Sequence, residues 1–184
     1  MYLQKVDSDI WLASLARALN MKLTAAQGNA VRLLAAECDA YFISDPRQVA
    51  YILATCYHEC RFKSIKEIRA PRGSAIWKMQ NRYWYTGYYG RGFSQLTWEK
   101  NYRKFSGIVG LNLVDNPDFA LRPNVGAKIL VVGMKLGLFS GVGLNRYFPP
   151  GGGSFWLAAR RIVNGTFQAD RVAAAAKKIL TLLE

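Results

Sequence analysis

Apolar positions in this chain recur mainly at helical spacing, and helix start signals punctuate them. Residues Ser8 to Leu19 read as a short helix. Thr24-Ala25-Ala26-Gln27 has the form of a capping box, and the apolar residues after it predict a helix to about Tyr41. Ser44-Asp45-Pro46 is a second start signal, an N-cap followed by proline in the first turn. In the helix it opens, Val49, Ile52, Leu53, Cys56 and Cys60 fall on one stripe at ~100° per residue. Residues 68–95 carry little periodicity and many Gly, Tyr and Arg, which predicts loops and short strands. Helices are expected again near Thr97, over Pro123 to Leu138, from Phe155 to Val163, and from Ala169 to the end, with the turn 149–153 (PPGGG) between two of them. The class is mainly α, with a small irregular or β part.

No repeat, low-complexity tract or linker divides the 184 residues, so one domain spanning 1–184 is expected. With 51% hydrophobic and 20% charged residues, the composition is that of a globular protein and excludes disorder. The longest apolar run, Ile129 to Phe139, is broken by Lys135 and falls short of the ~20 residues of a membrane span. Asp7 and Asp9 interrupt the region where a signal peptide needs an apolar stretch, so the expectation is a cytoplasmic start and no stable membrane insertion. Three cysteines, Cys38, Cys56 and Cys60, fall in apolar helical patterns and read as free buried thiols.

Charge changes the picture more. The net charge is +13, and residues 61–104 hold 11 Lys and Arg against Glu67 and Glu99. Such a field favours a polyanionic partner: nucleic acid, anionic lipid or an anionic wall polymer. Two carboxylates draw attention within or beside it. Glu59 follows Ile52 by seven residues and so points within ~20° of it, on the edge of the apolar stripe. It can be a general acid or an interface residue paired with a nearby arginine. Glu67, beyond the end of that helix, can return to face Glu59 across a cleft or stand as a solvated charge beside Lys66 and Arg69. Two carboxylates in different surroundings are the equipment for hydrolysing a glycosidic bond.

Other chemistries fit less well. His58-Glu59 begins like a zinc-protease motif, but position 62 is Phe and the chain has one histidine. Nor is there a phosphate loop, since Gly90-Arg91-Gly92 continues as Phe93-Ser94-Gln95. No metal site and no cofactor are expected.

The blocks His58-Glu59, Glu67, 88–102 (YYGRGFSQLTWEKNY), Ile162-Val163-Asn164-Gly165 and Asp170-Arg171-Val172 occur in an order that resembles family 19 glycoside hydrolases. That family includes chitinases and many phage endolysins. The likeness spans roughly residues 46–178 and implies a lysozyme-like fold: two helical lobes, a small irregular or β region and a central cleft. It implies that Glu59 is the general acid, Glu67 the general base, and Thr97 the hydroxyl that helps hold the attacking water. It implies substrate contacts by Gln95 and Asn101, and by Tyr89 and His58 at the cleft. Asn164 and Arg171 would border the cleft, with Arg171 a partner for a catalytic carboxylate. Gly90 and Gly92 would let backbone approach a sugar chain, with Tyr88 and Tyr89 offering ring faces. For Tyr89, Leu96, Trp98 and Arg91, structural packing is the favoured reading.

Departures from the chitinase pattern point to the phage lytic branch. Cys60-Arg61-Phe62 stands where chitinases carry Gly-Gly, and Phe93-Ser94 where they carry Pro-Ile. The expected activity is therefore cleavage of β-1,4 bonds in peptidoglycan by a monomeric lysozyme-like endolysin without a separate wall-binding module. It would wait in the host cytoplasm for a holin-type pore and then reach the periplasm and wall. A chitinase is the alternative within the family. A non-enzymatic nucleic-acid-binding protein is the alternative outside it, disfavoured because such a protein has no use for the set Glu59, Glu67, Gln95, Thr97 and Asn101.

Overall fold

The computed structural model describes residues 1–184. Helices α1 (Tyr2–Val6), α2 (Asp9–Ala18), α3 (Ala25–Ala40) and α4 (Pro46–Cys60) lead into strand β1 (Ile65–Lys66). Helix α5 (Ala75–Gln80), strand β2 (Arg91–Gly92), α6 (Glu99–Val109), α7 (Pro123–Leu136), α8 (Leu144–Tyr147) and α9 (Ala169–Leu183) follow. Short 3-10 turns occupy Trp84–Thr86, Pro117–Leu121 and Ala158–Ile162. The fold is mainly helical with one two-stranded antiparallel sheet.

The start signals act as their chemistry requires. Ser8 accepts from the Trp11 amide, and the Thr24 and Gln27 side chains each accept from the other's backbone, closing the capping box. Asp45 caps α4 through the Arg47 amide, with Pro46 in the first turn. The structure departs from the sequence pattern in α4 itself. Every residue from Gln48 to Cys56 is buried, so the helix is enclosed on all sides rather than along one stripe. Helices α3, α7 and α9 surround it. The alanines Ala173, Ala175 and Ala176 give α9 a smooth buried face against α4, with Val172, Ile179 and Leu183 beside them. Each large side chain so enclosed contributes at most ~1.5–3 kcal/mol.

A second, smaller cluster forms around α6 and the start of α7: Leu96, Tyr102, Phe105, Leu113, Ala120, Val125 and Ile129. Two packed groups result, one centred on α4 and one on α6, and the Gly90–Trp98 segment joins them. Phe93 belongs to the large cluster and Leu96 to the small one.

Two expectations need correction. Within 68–95 the chain forms α5, capped by Ser74 accepting from the Trp77 amide. The Phe155–Val163 segment makes only the 3-10 turn Ala158–Ile162, which buries Ala159, Arg160 and Ile162 while leaving Arg161 exposed. The three cysteines are free and buried, as their apolar settings predict. No helix is long and apolar enough to cross a membrane.

Candidate active site

Glu59 sits in the last turn of α4, between Cys56 and Cys60, which are both in the core. Its side chain is 14% exposed, and its Oε1 lies 2.6 Å from Nη2 of Arg160, which is 2% exposed. The contact is an ion pair rather than a directed hydrogen bond. Arg160 is fixed by the core residues flanking it on the 3-10 turn and by its Nε, which donates to the Phe167 carbonyl at 3.2 Å. The arginine expected here was Arg171. The structure puts Arg160 there instead, because the 3-10 turn drives that side chain inward while Arg171 stands on the exposed part of α9.

Glu67 follows β1 directly, and its place is set by the sheet. The register pairs Lys66 with Arg91, so Glu67 lies opposite Gly90, and its amide donates to the Gly90 carbonyl at 2.8 Å. Three neutral donors converge on its carboxylate: Tyr83 Oη at 2.7 Å and Gln80 Nε2 at 2.9 Å on Oε1, and the Gly90 amide at 2.8 Å on Oε2. Burial, and then the bond to Glu67, push the Tyr83 phenol well above its usual range, so it stays protonated and donating. Gln80 is 1% exposed and also bonds the Ile68 carbonyl and the Ala70 amide, which ties α5 to the carboxylate it orients. Gln80 and Tyr83 were not singled out in the sequence. Their only signal is spacing on one short aromatic stretch.

Gly90 borders the cavity that holds Glu59 and Glu67, and the glycines around Arg91 also make room within the protein. A Cβ on Gly90 would lie 2.8 Å from Gln95 Oε1 and 3.2 Å from Glu67 Oε2. One on Gly92, whose φ is +74°, would lie 2.4 Å from the Ala120 carbonyl. Their bareness makes room for protein atoms, the Glu67 carboxylate among them. Arg91 is 4% exposed and structural, as expected. It pairs with Asp118 at 2.6 Å and donates to the Gly87 and Tyr89 carbonyls and Tyr102 Oη.

Of the remaining candidates, Gln95, Thr97 and Asn164 join Glu59 and Glu67 around one cavity of about 430 Å³, whose walls include Tyr83, Met79 and Trp98. Gln95 spends its amide hydrogens on the Ile65 and Gly92 carbonyls, bracing the sheet. Thr97 donates to the Gln95 carbonyl at 2.9 Å, which leaves its oxygen lone pairs available to a water. Asn101 stands behind, donating to the Thr97 carbonyl at 2.8 Å. Leu96 is core, as expected, but Trp98 is not. It is 37% exposed, lines the cavity, meets Tyr83 edge-on at 5.2 Å and holds a φ of +75°. A positive φ at a tryptophan is a costly conformation of the kind found at functional sites.

Tyr88 and Tyr89 do not face this cavity. Tyr88 packs on Tyr102, and Tyr89 stacks on Trp84 at 4.4 Å with the Arg91 guanidinium 4.1 Å from its ring centre. His58 and Arg171 line a separate cavity with Arg61 and Lys178. Burial first, and then the charge of Arg160, push His58 below its usual range against the opposing pull of Glu59. No three His, Cys, Asp or Glu side chains gather as metal ligands.

The arrangement offers two carboxylates in one cavity with unlike surroundings. Glu67 has donors on both oxygens and no cation against it. Glu59 has a buried cation on one oxygen, while its Oε2 makes no hydrogen bond within the protein. One carboxylate is held by donors on both oxygens, and the other keeps one oxygen without a protein partner.

No protein-family model and no curated protein sequence matches the chain. Solved structures do. Chitinase C from Streptomyces griseus HUT6037 aligns with a TM-score of 0.66 at 21% identity, over 97% of this chain and 92% of that one. A chitinase C mutant aligns with a TM-score of 0.53 at 19% identity, over 92% and 88%. The chain therefore has the chitinase-type, lysozyme-like fold that the motif order implied.

Proposed function

We propose that this protein is a glycoside hydrolase that cuts β-1,4 bonds of peptidoglycan with Glu59 as general acid and Glu67 as general base. The observation that carries the reading is the pairing of Glu59 and Glu67 in one cavity, with Thr97 and Gln95 beside them. Glu59 Oε2 delivers a proton to the leaving oxygen. Glu67, fixed by Gln80, Tyr83 and Gly90, takes a proton from a water that Thr97 Oγ1 also holds, and that water attacks the anomeric carbon from the opposite face. Arg160 orients Glu59 and balances its charge when the proton has left.

Peptidoglycan rather than chitin is favoured by the net charge of +13 and by the replacement of the chitinase Gly-Gly and Pro-Ile positions. Arg61 and Phe62 stand at φ of +53° and +58°, where glycine would be strain-free, so these side chains are held there at a cost. Phe93 is fully enclosed in the core and Ser94 lines the cavity. In this reading the protein acts as a lytic enzyme of the phage type, released to the wall through a membrane pore.

Chitin cleavage is the second reading, favoured by the chitinases among the structural neighbours. Digestion of purified wall separates the outcomes. New reducing ends, abolished in a Glu59→Gln variant, support the proposal. New amino termini without reducing ends would make the protein an amidase or peptidase and overturn it.

A further inference from the structure

The second cavity, of about 380 Å³, opens where α4 and α9 meet the end of α2. Its lining carries His58, Arg61, Arg171 and Lys178 and no carboxylate. Arg171 and Lys178 project from one face of α9 about two turns apart, and Arg61 ends α4 in a left-handed turn that swings its side chain over the Tyr57 ring, 4.5 Å from the ring centre. None of these three cations forms an ion pair, although six other Lys or Arg residues of the chain do. Like charges converge here on the exposed rim of a cavity whose lining offers them no counterion, which concentrates positive potential at its mouth.

We propose that this cavity is a binding site for a phosphate group, held by Arg61, Arg171 and Lys178 with His58 at its floor. A single carboxylate would neutralise one of the three permanent cations. A phosphate carries about −1.5 to −2 at pH 7 and presents oxygens in several directions, matching donors that arrive from two helices. His58 reports on this pocket from the inside. The charges that face it are Arg61, Arg160 and Arg171, which disfavour its protonation, and Glu59, which favours it. A bound dianion outweighs the repulsion and draws a proton onto the ring. The site is distinct from the Glu59–Glu67 cavity, and its occupation does not depend on glycosidase activity.

His58 is the chain's one histidine, so its ring resonances need no further assignment. The experiment is an NMR pH titration of those resonances with increasing inorganic phosphate, and with chloride at matched ionic strength. We expect phosphate to raise the His58 pKa saturably and chloride not to. Arg171→Gln and Lys178→Ala lie on the exposed side of α9 and leave its buried face intact, and each is expected to weaken phosphate by about ten-fold or more. Glycerol 3-phosphate and phosphatidylglycerol vesicles, each competed against inorganic phosphate, distinguish a soluble phosphoester from a lipid headgroup as the natural source. A shift that fails to saturate, that chloride equals, or that survives in both variants overturns the proposal. A lost glycosidase activity with the His58 response intact would sink the catalytic reading alone.

Discussion

Glu67 and Gly90 hold each other twice: the Glu67 amide donates to the Gly90 carbonyl, and the Gly90 amide donates to Glu67 Oε2, each at 2.8 Å. Glu67 is thus fastened to the end of the sheet by backbone on one side and by carboxylate on the other. A methyl at position 90 would press on Glu67 Oε2 and on Gln95 Oε1 together. Gly90→Ala is expected to fold, to lose about ten-fold or more in kcat, and to leave KM little changed, because the contacts it disturbs orient the base. Steady-state kinetics on solubilised wall fragments checks this. An unchanged kcat would mean that Glu67 tolerates displacement and is not the base.

Arg160 depends on Glu59 for its charge balance as much as Glu59 depends on Arg160. Glu59→Gln should lower the rate by at least ~10²-fold, the low end for a positioned acid. It should also lower the melting temperature, because a guanidinium 2% exposed loses the carboxylate it pairs with before substrate binds. Arg160→Met should recover part of that stability in the Glu59→Gln background, since no buried charge then remains. Thermal melts of the three variants test the coupling, and purely additive shifts would contradict it.

Asp118 ties β1 and β2 to the 3-10 turn Pro117–Leu121 through Lys66 at 3.0 Å and Arg91 at 2.6 Å. Burial pushes its carboxyl up, but the hydrogen bonds from Lys66 and Arg91 outweigh this and hold it below the ordinary 3.8. A depressed carboxyl contributes stability above its unfolded value, and that contribution is lost as pH falls through the folded value. Asp118→Asn should therefore destabilise the protein at pH 7, with the difference from the parent shrinking below about pH 4. Melting temperatures across pH 2.5–7 decide the matter (about five steps suffice), and a difference that stays constant with pH would refute the pairing.

The two roles also fix stereochemistry. If Glu67 activates water instead of attacking the sugar, the first product has the inverted anomer, and the carboxyl groups stand ~6.5–9.5 Å apart. Proton NMR of the earliest products should show inversion. A retained anomer would recast Glu67 as a nucleophile or remove it from the reaction.

The parts legible in the sequence were those that local chemistry decides. Ser8, Thr24 with Gln27, and Asp45 with Pro46 announce helices because capping involves residues two or three apart. The ordered motif blocks announced the fold. What escaped depends on packing between distant segments. Arg160 beside Arg161 reads as a solvated pair until the 3-10 turn buries one and exposes the other. Gln80 and Tyr83 lie in a stretch without periodicity, and only the sheet register carries Glu67 to them. Trp98 looked like core because its ring is large. Its positive φ, at an extended ψ, is a conformation that no residue type but glycine signals in a sequence.

Charge bears on the substrate, but its usable part is smaller than composition implies. Of the 11 bases between 61 and 104, Arg91 is buried on Asp118, Lys66 shares that acid, and Arg103 pairs with Glu99. Arg69 lies among the rings of Trp77, Trp84 and Tyr85, knitting the segment around α5. The unpaired remainder still favours a polymer bearing carboxylates over neutral chitin. Attraction to wall peptides should weaken as added salt shortens the screening length below ~8–10 Å, whereas binding of a neutral oligosaccharide should respond little. Wall pull-down is therefore expected to fall steeply between low salt and about 0.5 M, and chitin oligomers should be cut slowly or not at all. Chitin oligomers cut faster than wall, or wall binding indifferent to salt, would keep the two-carboxylate mechanism and transfer it to a neutral substrate.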